Sequence, residues 1–149
     1  MPKRFATWIL ALSIGLVAGA GAEDGNAVSA VAARAVRTVV EAQLAAFAAD
    51  DAERAFSFAS ADIRQQFGDA TTFMQMVRQG YPMLIRPATT SFLLPTGTEA
   101  LVLQVIRVRD QGGRAWLAAD SVQKQSDDSW RINGCAMRPD GDRGDDAST

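Results

Sequence analysis

The stretch VSAVAARAVRTVVEAQLAAFA, residues 28–48, decides the fold of this chain. Apolar residues recur along it at helical spacing, while charged residues fall mostly on the other side: Val36, Val39, Val40, Leu44 and Phe47 against Arg34, Arg37 and Glu41. This pattern predicts one amphipathic helix of about five turns. Its apolar face needs cover, and only a sheet made by the rest of the chain is long enough to supply it.

Three shorter helices are predicted to follow, because capping residues mark their ends. Asp50-Asp51, Ser60 and Asp69 are suited to begin helices, since their side chains can accept hydrogen bonds from backbone N–H groups of a first turn. Gly68 and Gly80 are suited to end them.

After Tyr81-Pro82 the hydrophobic period changes from about 3.6 to 2, which is typical of strands. Asp110-Gln111-Gly112-Gly113 is a strong hairpin signal. Four strands are predicted, over Thr89–Leu94, Glu99–Arg109, Arg114–Gln125 and Trp130–Met137. The expected fold class is α+β, with N-terminal helices packed on a curved four-stranded antiparallel sheet. A curved sheet wrapped on a helix makes a cone with a mouth, and such clefts hold small ligands.

Both ends of the chain are predicted to lie outside this domain. Lys3 and Arg4 precede a short apolar run and a small-residue stretch, the pattern of a secretory signal peptide cut between Ala22 and Glu23. An uncleaved membrane anchor is the alternative. The expected divisions are a signal peptide over 1–22, a linker over 23–30, the domain over 31–138 and a disordered acidic tail over 139–149. The expected location is periplasmic or secreted, with no stable membrane span after cleavage.

Composition excludes several function classes. The 149 residues include no histidine and one cysteine, so histidine-based triads, zinc clusters and an internal disulfide are ruled out. Neither a metal nor a cofactor is expected. The formal charge of -2 gives no general attraction to nucleic acid. Cys135 is expected to be a buried thiol, or to pair with another chain.

The order of these motifs resembles a known superfamily. Residues 39–47 followed by Asp50-Asp51-Ala52 resemble the opening of nuclear-transport-factor-2-like domains, the ketosteroid-isomerase-like and cystatin-like cones. Residues 55–60, 63–68, 80–82 and 130–135 resemble one exported bacterial family of domains of unknown function within it. The resemblance covers Val31 to about Met137 and implies the cone fold. The superfamily includes isomerases, dehydratases, cyclases and non-enzymatic modules, so it implies no particular activity.

Five side chains are candidates to line a pocket: Gln43, Tyr81, Arg86, Trp116 and Asp120. Gln43 lies on the apolar seam of the first helix, where its amide either bonds a ligand or ties to backbone. A buried Asp120 would have a raised pKa and could act as a general acid or base. On a solvated face it would instead balance an arginine of the neighbouring strand, Arg107 or Arg109.

Tyr81 and Arg86 bracket the crossing from helices to sheet. At the mouth of the cone, the tyrosine could donate to an oxyanion and the arginine could hold a carboxylate. The alternative is a tyrosine packed under the loop and an arginine on the rim. Trp116 is more typical of a core residue than of a substrate platform.

The central strand is apolar on both faces, because Leu101, Leu103 and Val105 alternate with Val102, Ile106 and Val108. Helices cover only one face, so a homodimer through the sheet is predicted. The leading function is therefore an exported, non-catalytic module that binds a small apolar or amphipathic ligand or dimerises. The alternatives are an isomerase or lyase using Asp120 or Tyr81, and a module that binds another envelope protein.

Overall fold

The computed structural model of the protein describes residues 27–141. The predicted signal peptide, its cut between Ala22 and Glu23, half of the linker and most of the acidic tail lie outside these residues. Helices come first and an antiparallel sheet follows, which confirms the α+β class. The helices are α1 (Ala30–Ala48), α2 (Ala52–Ser57), α3 (Ala61–Phe67) and α4 (Ala70–Gly80), and a 3₁₀ turn follows at Pro82–Leu84. The strands are β1 (Thr89–Phe92), β2 (Thr96–Gly97), β3 (Leu101–Arg109), β4 (Ala115–Lys124) and β5 (Trp130–Pro139).

Each helix begins at a side-chain cap. Asp51, Ser60 and Asp69 accept hydrogen bonds from backbone N–H groups three residues on, as predicted. Helix α1 begins at Ala30 because Ser29 caps it in the same way. These caps satisfy N–H groups that have no partner inside the helix, which sets each boundary.

The sheet has five strands, so the prediction of four was wrong. Its order is β1-β3-β4-β5, and β2 pairs with β3 beside β1. The first strand was predicted to end at Leu94, but Thr96 and Gly97 still pair with Leu103 and Val102. Gly97 allows this because its φ is 131° and a Cβ there would stand 2.3 Å from the backbone oxygen of Leu101.

The core lies between α1 and one face of the sheet, here called the inner face. On β3 and β4 the even-numbered residues point inward and are mostly buried. The buried residues of α1 are Ala32, Val36, Val40, Gln43, Ala46 and Phe47. The sheet residues of the same core include Val102, Ile106, Val108, Ala118 and Val122. Leu101 and Leu103, on the outer face of β3, remain 48% and 43% exposed.

A β-bulge interrupts the pairing of β4 with β5. Val122 pairs with Ile132 and Ser121 with Gly134, so Asn133 has no partner in the ladder. Ser60 donates a 2.7 Å hydrogen bond from its hydroxyl to the Asn133 side chain and a 2.9 Å bond from its backbone N–H to the Ile132 carbonyl, and the Ile132 N–H donates to the Phe58 carbonyl. The loop between α2 and α3 is thereby tied to the sheet at the bulge.

Strand β5 extends to Pro139, beyond the predicted end at Met137, and Asp140 forms a salt bridge with Arg107. Within residues 27–141, no helix combines the length and the apolar character that crossing a membrane requires.

Candidate functional site

A cavity of about 660 Å³ lies between the helices and the inner face of the sheet. Most of its lining is apolar, as in Leu44, Phe47, Ala59, Ile63, Phe67, Phe73, Met76, Val77, Leu84, Ile106 and Ile132. The exposed residues Gln66, Gln79 and Gly80 also border it and mark where it reaches the surface. A cleft of this size and character suits a small organic molecule.

An aromatic cluster forms one wall of the cavity. The Phe73 ring lies 6.3 Å from the Phe47 ring and 5.7 Å from the Phe67 ring, measured between centroids. Phe73 comes from α4, Phe47 from α1 and Phe67 from α3, so the wall joins three helices. Packed aromatic rings bury large areas and hold their geometry, which keeps the wall in place.

Asp120 is the buried ionisable group of the cavity. It lies on the inner face of β4, lines the cavity and is 6% exposed. The arginine pairing considered for a solvated Asp120 does not occur, because Arg107 and Arg109 are exposed on the opposite face of β3. Burial raises the pKa of Asp120 from 3.8 to about 6, and a hydrogen bond with Cys135 lowers it only in part.

Cys135 faces Asp120 directly across β4 and β5. The bulge at Asn133 produces this pairing: in an unbroken ladder running from Lys124↔Trp130, Cys135 would lie opposite Ala119 on the outer face. Burial raises the pKa of the Cys135 thiol far above its usual range, and the charge of the neighbouring Asp120 raises it further. The thiol therefore acts as a weak hydrogen-bond donor here and not as a nucleophile.

Gln43 and Tyr81 also line the cavity. Gln43 is buried and donates from Nε2 to the backbone oxygen of Ala55 at 3.1 Å. Tyr81 is half-buried and donates from its hydroxyl to the backbone oxygen of Cys135 at 3.2 Å. Both side chains thus tie helical segments to neighbouring backbone while they border the cavity.

Arg86 and Trp116, the other two candidates, do not line this cavity. Arg86 donates to the Ala48 carbonyl at 3.1 Å and to Asp50 at 2.8 Å, which secures the end of α1. The hydrogen bond and charge of Arg86 hold the pKa of Asp50 below its usual range. Trp116 lies near the β3–β4 hairpin, where its indole N–H donates to Asp110 at 3.1 Å.

Gln104, a buried polar residue opposite Asp120 on β3, was not among the predicted site residues. Its Nε2 donates to the carbonyls of Leu93 and Val105, at the point where the edge of the sheet breaks between β1 and β2. A signal was present, since Gln104 occupies an inward position between Val102 and Ile106. Gln104, Asp120 and Cys135 therefore form one polar row across the inner face.

Comparison with known proteins identifies a family but no activity. A family model described as "Domain of unknown function (DUF4864)" matches residues 29–144. This confirms the prediction of a domain of unknown function. No curated protein and no solved structure matches the chain.

Proposed function

The chain belongs to this family of domains of unknown function, DUF4864, and we propose that its cavity binds a small, mostly apolar molecule. One observation carries the proposal: a cavity of about 660 Å³, walled by aromatic and aliphatic side chains, has the buried carboxyl of Asp120 in its lining. Apolar walls favour an organic ligand, and a small number of buried polar groups fixes its orientation.

A fluorescent probe of suitable size tests this proposal. We expect 1-naphthalenemethanol to bind the protein with a change in its emission, because the naphthalene ring would leave water for an apolar cavity. Met76→Trp adds bulk to the lining and should weaken binding at least tenfold, a loss of about 1.4 kcal/mol. Met83→Trp is the matched control, since Met83 is half-buried but does not line the cavity.

Two results would contradict the proposal. One is that the probe fails to bind the unmodified protein at any soluble concentration. The other is that both tryptophan variants bind it as well as the unmodified protein does, with folding of each checked by circular dichroism.

An isomerase or lyase is the second candidate, favoured by the pKa of about 6 at Asp120, which suits a general acid or base. Binding without catalysis is the better-supported function, because the Tyr81 hydroxyl already donates to the Cys135 carbonyl and is not poised as an oxyanion donor. Conversion of β,γ-unsaturated ketones by the protein, abolished in Asp120→Asn, would reverse this preference.

We also propose a homodimer through the outer face of the sheet. Leu101 and Leu103 are 48% and 43% exposed there, and Leu93 of the adjoining edge is 40% exposed. A second copy is the simplest cover for such a face, because a two-fold axis brings the same patch together from both chains. Light scattering should give twice the chain mass, and Leu103→Asp should give the monomer mass. A monomer mass for the unmodified protein, together with its co-purification with another envelope protein, would instead favour an interaction module.

Export and the nuclear-transport-factor-2-like cone remain proposals as well. The support for export is the signal-peptide pattern of residues 1–22, and the support for the cone is the order of helices and sheet strands. Intact mass of the protein from its host should show loss of residues 1–22. An uncut chain would favour the membrane-anchor alternative.

A further inference from the structure

The polar atoms that the cavity offers to a ligand are mainly acceptors. One Gln43 amide N–H and the Tyr81 O–H already donate to backbone carbonyls, which leaves the second Gln43 amide N–H as a remaining neutral donor. Within residues 27–141 we find no donor for the Gln43 side-chain oxygen. Asp120 has the Cys135 thiol as a weak donor, and it forms no salt bridge with any described residue. A ligand that satisfies these groups must therefore bring donors.

The cavity also holds a negative charge without a positive one nearby. Besides Asp120, the titratable groups that line the cavity among the described residues are Cys135 of β5 and Tyr81 after α4. Gln104, the β3 partner of Asp120, and Gln43 of α1 are neutral. Among the residues that the structure describes, no arginine or lysine lines the cavity. An isolated carboxylate in apolar surroundings attracts a cation and repels an anion more strongly than it would in water.

We infer that the ligand is a small apolar molecule with one protonated amine, which pairs with the Asp120 carboxylate. The inference rests on the proposed function, since it names the ligand class of the same cavity. A protonated amine would donate hydrogen bonds to these acceptors and would also balance the charge of Asp120. A neutral hydroxyl would donate hydrogen bonds but would leave the charge unbalanced. Fatty acids and other carboxylates should bind more weakly, because their charge would stand beside that of the ionised Asp120.

Asp120 is already desolvated in the folded protein before a ligand binds. Removal of Asp120 from water is a cost of folding, so the ligand must desolvate only its own ammonium group on binding. Hydrogen bonds between charged groups are roughly twice as strong as those between neutral groups. An amine should therefore bind more tightly than an alcohol with the same apolar body.

A matched series of probes tests the ligand class: 1-naphthylmethylamine, 1-naphthalenemethanol and 1-naphthoic acid, titrated into the full chain at pH 7.5. The amine should bind at least tenfold more tightly than the alcohol, and the acid should bind most weakly. Asp120→Asn should remove the advantage of the amine. Asp62→Asn, at an exposed position in the first turn of α3, should leave it unchanged.

The unmodified protein supplies a second readout through pH. At pH 5 an Asp120 of pKa about 6 is about nine-tenths protonated, so binding of the amine should be about tenfold weaker than at pH 7.5. The amine itself keeps its charge over this range, because aliphatic amines titrate near pH 10, as lysine does at about 10.4. Binding of the alcohol should change little.

The outcomes separate the two proposals. Failure of all three probes to bind would overturn the proposed function and the inference with it. Binding of the alcohol as tightly as the amine would overturn the inference alone. An advantage of the amine that survives Asp120→Asn, or that does not fall at pH 5, would also overturn it.

Discussion

The substitution Asp120→Asn should stabilise the protein at neutral pH, although it alters a buried polar residue. In the folded state the pKa of Asp120 is raised from 3.8 to about 6, so the folded protein holds this proton more tightly than the unfolded chain does. The stabilisation from this proton is complete below about pH 3.8 and is lost as the pH rises through about 6. The difference corresponds to about 3 kcal/mol, at 1.36 kcal/mol for each pKa unit.

Urea denaturation at intervals from pH 4 to pH 8 measures this effect. The unmodified protein should lose about 2.5 kcal/mol of unfolding free energy between pH 4 and pH 8 from this residue, whereas the Asp120→Asn variant has no proton to lose at this position. The exposed Asp50, Asp69, Asp110 and Asp127 have lowered pKa values, so the stability they contribute is lost as the pH falls below about 5, and it is the same in both proteins. Parallel curves for the two proteins over pH 4–8 would refute a desolvated Asp120.

Three further predictions concern the surroundings of the site. Cys135→Ala should raise the pKa of Asp120 above about 6, because the thiol hydrogen bond lowers it; NMR titration would detect no change if the two groups do not interact. Gly97→Ala should destabilise the protein by more than about 1 kcal/mol in urea, since its Cβ would collide with the backbone of β3 at a positive φ. Ser60→Ala should cost about 1–3 kcal/mol, because it removes the cap of α3 and the bond to Asn133, and an unchanged unfolding midpoint would contradict both roles.

Local signals in the sequence were sufficient for much of the fold. The caps at Asp51, Ser60 and Asp69 could be predicted because a short polar side chain before an apolar-periodic run has one dominant local use. The inward direction of Gln43 followed from the 3.6-residue spacing of α1. Strand β2 could not be predicted, because proline and glycine are typical of residues that end a strand. Its pairing depends on the close approach of Gly97 to the backbone of Leu101.

The site was harder to predict because it depends on register. Alternation along β4 puts Asp120 on one face but does not say which face is inward. The bulge at Asn133 changes the facing of Cys135 and is fixed by a contact with Ser60, 73 residues away in sequence. The contacts of Arg86 could not be predicted for a related reason: its partners Ala48 and Asp50 are close to it only after the helices pack.

The pKa of Asp120, measured by carboxyl-carbon NMR with and without 1-naphthylmethylamine, tests the central claim most directly. A pKa of about 6 is expected in the protein alone. Saturation with the amine should lower the pKa of Asp120 to about 5 or below. A ligand that binds the ionised form at least tenfold more tightly than the protonated form shifts the ionisation equilibrium by the same factor. The alcohol should produce no such fall. A pKa of Asp120 near 3.8 that changes with neither probe would contradict the claim that this carboxyl is buried and binds a cation.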